Sequence, residues 1–503
     1  MPSSQSFVGC TNSVALSVDV LKVTSTELQK LLSNGAVRSV ELVDIYLRQI
    51  ERENHHGLKL NAMISTTPRD ILDKIAESLD IERQKGVVRG PLHGIPITVK
   101  DNIMTGPDFC LPTTVGSFAL EKAFATSNAP IVNLILKENE QEMTGWKGFG
   151  ITTGWSALGG QTQNPYVVGG FKSSDKLLGH SAPAGSSSGS AAGVAAGFSP
   201  IALATETDGS IVQPSNRAAL YGMKATVGSI STKGTAPWSP FTDSIGGMAK
   251  SPQDLAALFI GVVDPNLWSF SPVICDPDPV LIQQQREELE AAIAKIQKDG
   301  ARIKRPVPLT SMDELILDGA DALEQIWNHD FNTAWKEYLQ DFNNIDIKSI
   351  SYPGQQLLEE SIDKTKIISH EKYQEVTERI RKTAGAGGIE KTLIQHDLDV
   401  ILGPMDGRIP TIAAAAGYPV GTMPLGYSKS NGRPFGVCII AGENQEQKIL
   451  RAMSAWEVSL EERRPPPQMD DRHILQPRTH STTNEENAGF LKKFFGCCMA
   501  GQC

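Results

Sequence analysis

The sequence predicts an α/β fold in which helices alternate with short buried strands. The chain has 503 residues, which is enough for about three small domains or for one large α/β unit. Apolar runs at residues 95–99, 200–205 and 398–402 have the length and composition of buried strands. Stretches with helical periodicity, such as residues 281–297, lie between them. Strands separated by helical stretches are the pattern of an α/β protein.

The balance of charges argues against a nucleic-acid partner. The chain contains 57 acidic and 47 basic residues, which gives a formal net charge of −10 at pH 7. Proteins that bind the phosphate backbone present clustered Lys and Arg side chains instead. We therefore predict that no nucleic acid is bound.

The cysteines and the hydropathy pattern indicate a cytoplasmic protein. Seven cysteines, an odd number, are scattered through the chain and do not form the pattern of a disulfide framework. The N-terminus has no secretory signal pattern, and no run of about 18 apolar residues predicts a transmembrane segment. Cys497, Cys498 and Cys503 lack a nearby fourth ligand, so we predict no metal site.

The N-terminal part of the chain predicts three helices that act as scaffold. Thr24 and Glu27 have the spacing of a capping box ahead of the first helix, and Gly35 is placed to end it. Ser39 is the expected cap of the second helix. The third helix is expected to begin at Pro68, in the first helical position, and to end by residue 86.

Lys100 is a candidate general base because it ends the predicted strand at 95–99. A lysine at a strand end is usually only a solvated edge. To act as a base it would have to be buried, with its pKa lowered from about 10.4 to about 7–8. Asp101 would point to the opposite face of the strand, since side chains alternate. His93 is a conceivable base, but it more often has a structural role in such a Gly/Pro-rich approach.

A run of Gly-Ser-Ser-Ser-Gly-Ser occupies residues 185–190, and a Gly/Ser run is usually a flexible linker. The small residues at 191–197 favour a packed helix directly after it, which a linker would not open. The strand at 200–205 then leads to the turn Asp208-Gly209-Ser210. The two segments predict a hydroxyl on a sharp strand-end turn facing a second serine-rich loop.

Three motifs together resemble the amidase signature family. They are Gly-Pro-Leu-His-Gly-Ile-Pro with Val-Lys-Asp-Asn over 90–102, the serine run at 185–190, and Thr-Glu-Thr-Asp-Gly-Ser-Ile at 205–211. The resemblance is greatest to fungal and peptide-amide-cleaving members. It implies an amidase signature fold, a large mixed β-sheet core flanked by helices on both faces. It also sets the domain limits: an N-terminal tail at 1–22, the amidase domain at 23–464, and a polar, flexible C-terminal tail with a cysteine cluster at 465–503.

The resemblance also implies the catalytic residues. Ser210 matches the family's nucleophile, Ser186 its bridging serine, whose peptide bond is cis, and Lys100 its base. The spacing of 24 positions between the two serines agrees with the family. The backbone N–H groups of Thr207, Asp208 and Gly209 match the oxyanion hole, and Ser187 is a supporting residue. The implied reaction is hydrolysis of a linear, non-peptide amide through an acyl-enzyme, which gives a carboxylic acid plus ammonia or an amine without a cofactor.

One segment departs from the family pattern. Residues 136–146 are polar and short where the family has a strand rich in Val, Ile and Gly, so we expect that strand, near residues 137–145, to be missing or shortened. Loss of a central strand would open the sheet near Lys100. The alternative hypothesis is therefore an inactive amidase-fold protein that binds a partner. A phosphate-binding loop is disfavoured, because no Lys follows in the G-x-x-x-x-G-K pattern.

The remaining questions concern specificity and assembly. Residues from about 255 to 395 carry helical patterns but no recognisable chemistry, and this region would shape the acyl pocket. A small-molecule amide is the expected substrate, and a homodimer is one possible assembly. A stand-alone hydrolase fits the pattern better than part of a glutamine-dependent amidotransferase.

Overall fold

A mixed β-sheet of eight strands forms the centre of the structure, a computed structural model that describes residues 17–135, 138–141, 153–256, 278–345, 367–469 and 474–476. In chain order the strands of this sheet and of the two-stranded sheets beside it are β1 (Val18–Asp19), β2 (Ile97–Lys100), β3 (Phe124–Ala125), β4 (Glu138–Gln141), β5 (Trp155–Ser156), β6 (Gly160–Gln161), β7 (Ile201–Glu206), β8 (Tyr221–Lys224), β9 (Ser244–Ala249), β10 (Ile316–Leu317), β11 (Ala320–Asp321), β12 (Phe342–Asn343), β13 (Ile401–Pro404), β14 (Val420–Tyr427), β15 (Pro434–Ile440) and β16 (Ile474–Leu475).

Helices surround this sheet. In chain order they are α1 (Ser25–Ser33), α2 (Ser39–Glu53), α3 (Arg69–Gln84), α4 (Pro130–Ile135), α5 (Ser188–Ala195), α6 (Val212–Asn216), α7 (Pro252–Ala256), α8 (Pro279–Lys298), α9 (Ala322–Leu339), α10 (His370–Arg381), α11 (Lys391–Gln395), α12 (Ile409–Ala416) and α13 (Glu446–Ser459). A π-helical segment, Lys382–Glu390, joins α10 to α11, and short 3₁₀ helices lie at Pro107–Phe109, Phe118–Leu120 and Met312–Leu315.

The sheet has the strand order β13-β15-β14-β8-β9-β7-β2-β4. The pairs of β2 with β7 and with β4 are parallel, and the other pairs are antiparallel. Because the carboxyl ends of parallel strands meet at one edge, the ends of β2 and β7 lie side by side. This edge carries the end of the predicted Lys100 strand and the start of the predicted Ser210 turn.

Apolar side chains cover both faces of the sheet. On β7, Ala202 and Ala204 pack with residues of α5, α6 and α12 on one face. Ile201 and Leu203 project to the other face, where Ile201 packs with residues of α8 and α13. Burial on both faces explains why the central strands are apolar at nearly every position. The predicted α/β fold, a mixed sheet with helices on both faces, is confirmed.

The predicted N-terminal helices form, with small differences at their starts. The capping box of α1 is confirmed, because Thr24 and Glu27 each bind the other's backbone N–H. Ser39 is the first residue of α2 rather than its cap, and the Glu41 carboxylate accepts the N–H of Arg38 in front of it at 2.8 Å. Pro68 caps α3 instead of occupying its first helical position.

The strand that the sequence led us to expect as missing or shortened is present and short. β4 has four residues and pairs in parallel with β2 along its whole length, from Ile97 opposite Glu138 to Lys100 opposite Gln141. It lies at the edge of the sheet rather than in its centre, so the sheet around Lys100 is not opened. The hypothesis of an inactive binding protein therefore loses its structural basis. Residues 142–145 lie outside the described part of the chain.

Ordered structure also extends beyond the predicted limits of 23–464. β1 pairs antiparallel with β16, with Val18 opposite Leu475. Val20 and Leu21 are fully buried, and Val20 packs with apolar residues of α1 and α2. The segments assigned to the tails thus each contribute one strand, and the predicted cysteine cluster lies outside the described residues.

Candidate active site

Lys100 ends β2, and only 1% of its surface is exposed. Its Nζ donates hydrogen bonds to Ser186 Oγ at 2.8 Å and to the Thr205 carbonyl at 3.2 Å. Burial lowers the pKa of Lys100 to about 7, although the Glu206 and Asp243 carboxylates oppose this shift. A substantial fraction of this amine is therefore neutral near pH 7, as a general base requires.

The serine loop (residues 185–190) brings the Ser186 hydroxyl to this lysine and the Ser187 hydroxyl to the Thr205 carbonyl, which the lysine also contacts. The Gly185-Ser186 peptide bond is cis, in agreement with the family resemblance. The Ser187 N–H donates to the Ser210 carbonyl at 3.2 Å, and its Oγ donates to the Thr205 carbonyl at 3.3 Å. These bonds connect the serine loop both to the end of β7 and to Ser210, four residues beyond that end.

The Ser210 turn (residues 207–210) joins β7 to α6. Gly209 has φ +82°, and a Cβ there would lie 2.9 Å from Gln213 Cγ. Glycine therefore avoids both the strain of a positive φ and a steric clash with the next helix. Ser210 itself is half-buried, which leaves its hydroxyl group reachable at the edge of the sheet.

Glu206 fixes the chain just after this turn. Its side chain is 1% exposed, and Oε2 accepts the N–H groups of Ile211 at 2.7 Å and Val212 at 3.0 Å. A carboxylate that accepts two backbone N–H groups is a strong anchor, because both hydrogen bonds are charge-assisted. The position of Ser210 is thus determined on one side by β7 and on the other by this bond pair.

Two further carboxylates hold the Ser210 turn from its flanks. Thr207 Oγ1 donates to Asp243 at 2.6 Å, and Thr411 Oγ1 of α12 donates to Asp208 at 3.0 Å. Burial raises the pKa of Asp208 and of Asp243 to about 6. Both are therefore largely ionised at neutral pH, and the charge of Asp243 acts on the candidate base.

Two residues weighed as site candidates do not join the cluster. Asp101 points away from Lys100, and its carboxylate accepts the N–H groups of Thr114 at 2.7 Å and Gly116 at 2.8 Å. His93 is buried, and its Nε2 lies 3.0 Å from the Leu79 carbonyl, to which it can donate. Both side chains thus support the loops around β2.

Sequence reasoning missed Glu206, Asp243 and Lys224. Glu206 follows Ala202 and Ala204 in the period-two pattern of β7, so its face could have been read from the sequence. Asp243 and Lys224 reach the site only through the pairing of β8 and β9 with β7. No local pattern in the sequence reveals such pairing.

The described part of the chain contains no group of three or more His, Cys, Asp or Glu residues arranged to hold a metal ion. None of the helices within those same ranges is long and apolar enough to cross a membrane.

A family profile for amidases matches residues 41–326, which is more than half of the chain. The chain belongs to the amidase signature family. Members of this family hydrolyse amide C–N bonds, and the chain is therefore assigned as an amide hydrolase.

Full-length relatives support this assignment. A probable amidase of Arabidopsis thaliana is 28% identical over 91% of this chain and 94% of its own length. The mandelamide hydrolase of Pseudomonas putida is 28% identical over 85% of this chain and 90% of its own length. The crystal structure of a peptide amidase from Stenotrophomonas maltophilia is 29% identical, with a TM-score of 0.75 over 88% of this chain and 98% of that one.

Proposed function

We propose that this amidase hydrolyses small linear amides with Ser210 as nucleophile, Ser186 as bridging serine and Lys100 as base. The observation that carries the proposal is the hydrogen bond of 2.8 Å between Lys100 Nζ and Ser186 Oγ in a buried environment. Burial keeps the pKa of Lys100 near 7, so the amine can accept a proton at neutral pH.

The first half of the reaction acylates Ser210. The neutral Lys100 amine accepts the proton of the Ser186 hydroxyl, and Ser186 Oγ accepts that of Ser210. Ser210 Oγ then attacks the amide carbon, and the carbonyl oxygen becomes an oxyanion. The Lys100 ammonium returns its proton through Ser186 to the nitrogen, the C–N bond breaks, and ammonia or an amine leaves.

The second half of the reaction restores the enzyme. Water replaces the amine and gives its proton to Lys100 along the same route while its oxygen attacks the acyl carbon. The bond from that carbon to Ser210 Oγ breaks, Ser210 regains a proton, and the carboxylic acid leaves. No cofactor takes part in either half.

The oxyanion is the second requirement of this mechanism. We assign its donors to the backbone N–H groups of Thr207, Asp208 and Gly209, which precede the nucleophile. The bonds from Thr207 to Asp243 and from Thr411 to Asp208 support this role, because they hold the turn in one conformation. Preorganised donors of this kind are each worth about 10²–10³ in turnover. Ser187 would support them by connecting the serine loop to the Ser210 carbonyl.

The proposed substrates include peptide amides and simple aliphatic amides. The similarity to a peptide amidase over most of both chains supports tests with carboxyl-terminal peptide amides beside simple aliphatic amides.

Cytoplasmic location is supported by the free thiols of Cys110 and Cys438. The homodimer stays a prediction, and sedimentation equilibrium would test it.

The nucleophile can be tested before the substrate is known. A fluorophosphonate probe transfers its phosphonyl group to an activated serine oxygen and releases fluoride. We expect one adduct, located at Ser210 by peptide mapping, that is absent in Ser210→Ala and strongly reduced in Lys100→Met. Ser190→Ala is the matched control, because Ser190 is fully buried in α5 and has no role in the proposal. Labelling of a folded Ser210→Ala protein at the wild-type rate would contradict the nucleophile assignment.

A further inference from the structure

Lys100 shares one face of the sheet with two other buried charges. Glu206 of β7 pairs with Ser244 of β9, and Lys224 of β8 pairs with Gly246, two residues further along β9. Side chains two residues apart on a strand project from the same face, and cross-strand partners share that face. The parallel pairing of β7 with β2 places Lys100 on this face as well. The Glu206 carboxylate and the amino groups of Lys100 and Lys224 therefore lie on one face of the sheet.

The carboxylate and the second lysine are deeply buried but not hydrogen-bonded to each other. Lys224 is 0% exposed and Glu206 is 1% exposed. Glu206 uses Oε2 for the N–H groups of Ile211 and Val212, whereas its Oε1 and Lys224 Nζ have no hydrogen-bond partner among the described residues. In an interior of low dielectric, such charges influence each other over several ångströms. Their interaction is therefore one of field rather than of direct contact.

The field of Glu206 acts on both lysines in the same direction. After burial, Glu206 is the largest influence on the pKa of Lys100 and on that of Lys224, and it raises both. A raised pKa is unfavourable for Lys100, because the amine has to be neutral to act as a base. Against the pull of Glu206, burial lowers the pKa of Lys224 to about 8 and that of Lys100 to about 7.

We propose that Lys224 is a positioning residue whose buried ammonium balances the Glu206 carboxylate. This balance lets Glu206 anchor the chain after Ser210 without holding Lys100 in its charged, inactive form. The inference rests on the proposed roles of Lys100 and Ser210. It adds to them a residue that touches neither the substrate nor the reacting atoms.

Other charged groups face the same lysines and are left intact by the test. The pKa of Lys224 is also raised by Asp208 and Asp243 and lowered by Arg381 of α10. The pKa of Lys100 is also raised by Asp243. Burial and Glu206 both raise the pKa of the Cys438 thiol on β15, so it stays uncharged. Because Glu206 acts on several of these groups, the single and double variants of Glu206 and Lys224 are compared with each other.

The test is the pH dependence of the second-order rate constant for fluorophosphonate labelling of Ser210. In Lys224→Met the positive charge that offsets Glu206 is lost, so the acid limb of the profile, where labelling slows as Lys100 becomes protonated, moves to higher pH by about half a unit or more. Labelling near pH 6 then slows about threefold or more. In Glu206→Gln the limb moves to lower pH. The double variant has a limb between the two, and Lys224→Arg, which keeps the charge, has a limb close to that of the wild type.

Lys250→Met is the matched control. Lys250 is also buried, with 4% of its surface exposed, but its Nζ binds the Val20 and Val23 carbonyls at 2.6 and 3.3 Å, away from the Ser210 turn. Its loss is expected to lower the melting temperature without moving the limb. A folded Lys224→Met protein with an unmoved limb, or one moved to lower pH, overturns the proposal.

Three further outcomes keep the test decisive. If Lys224→Met does not fold, Glu206→Gln carries the test, and an unmoved limb there overturns the proposal equally. If Lys100→Met labels at Ser210 like the wild type, the proposed base is wrong and the role of Lys224 falls with it. If Lys100→Met loses labelling while the limb of Lys224→Met does not move, only the role of Lys224 fails.

Discussion

Lys100 Nζ lies 2.8 Å from Ser186 Oγ at an edge of the sheet where only 1% of the lysine surface is exposed. This one contact combines the two properties that a lysine base needs. Burial removes the water that would stabilise its ammonium form, and the serine hydroxyl gives the neutral amine a proton to accept. The same serine belongs to a loop that is hydrogen-bonded to the Ser210 backbone through its neighbour Ser187.

The first prediction concerns the pH dependence of turnover. In the proposed mechanism the neutral form of Lys100 is the active one, so kcat/KM is expected to rise with pH through the pKa of about 7 and to reach a plateau above it. Lys100→Met is expected to lower kcat by about 10²–10⁴ and to abolish this limb. A steady-state profile between pH 5 and 9 on a peptide amide measures both. A wild-type profile that is flat across this range contradicts a neutral lysine base.

The second prediction separates the two serines of the serine loop. Ser186→Ala interrupts the proton path, and we expect kcat to fall by about 10²–10⁴. Ser187→Ala removes only the bond from Oγ to the Thr205 carbonyl, because its N–H still reaches the Ser210 carbonyl. Its kcat is expected to fall about tenfold or less, as for the loss of one supporting hydrogen bond. Equal losses in the two variants would argue against Ser186 as the bridge.

Much of this site was predictable from local sequence. Lys100 ends an apolar run, and Ser210 follows a strand and a glycine that the turn requires, so residue types and spacing placed both at strand ends. The resemblance to the amidase signature family supplied Ser186. β4 is short, as one of the two expectations had it, but its place at the edge of the sheet was not predicted, because a polar edge strand has none of the apolar signal of a central strand.

The rest depends on contacts between distant parts of the chain. Asp243 reaches Thr207 across 36 positions, and Thr411 reaches Asp208 across 203. Each is an ordinary polar residue in the sequence, and only the packing of β9 and α12 against the Ser210 turn gives it a role. Lys224 likewise resembles any strand-end lysine until the sheet buries it.

The third prediction concerns Asp243, which acts on the site in two ways. Its carboxylate accepts Thr207 Oγ1 at 2.6 Å, and its charge raises the pKa of Lys100. Asp243→Asn is expected to lower kcat about tenfold by loosening the turn. It also moves the acid limb of kcat/KM to lower pH, because the lysine loses an attracting anion.

Thr207→Val is the control for that prediction. It removes the hydrogen bond to Asp243 but leaves the charge, so kcat falls while the limb stays where it is in the wild type. A shifted limb in Thr207→Val, or an unmoved limb in Asp243→Asn, would show that the charge of Asp243 does not act on Lys100.

The fourth prediction separates stability from activity. Asp254 of α7 is fully buried, and its carboxylate accepts the N–H of Ser25 at 2.6 Å and the N–H and Oγ1 of Thr26, each at 3.0 Å. It therefore anchors the start of α1 to the body of the protein. Asp254→Ala leaves these buried donors without their acceptor, and we expect the free energy of unfolding to fall by about 1–3 kcal/mol.

The measurement combines urea denaturation with amide hydrogen exchange. Exchange is expected to increase over α1, where the first N–H groups lose their partner, and to stay unchanged in the Ser210 turn. The kcat of the folded protein is expected to match that of the wild type, because α1 contributes no group to the proposed reaction. Asp70→Ala is the control: Asp70 forms an exposed pair with Lys74 at 3.1 Å, so its loss leaves stability unchanged. Equal stability of Asp254→Ala and Asp70→Ala would mean that α1 is held mainly by its apolar face, through residues such as Leu28 and Leu32, rather than by this carboxylate.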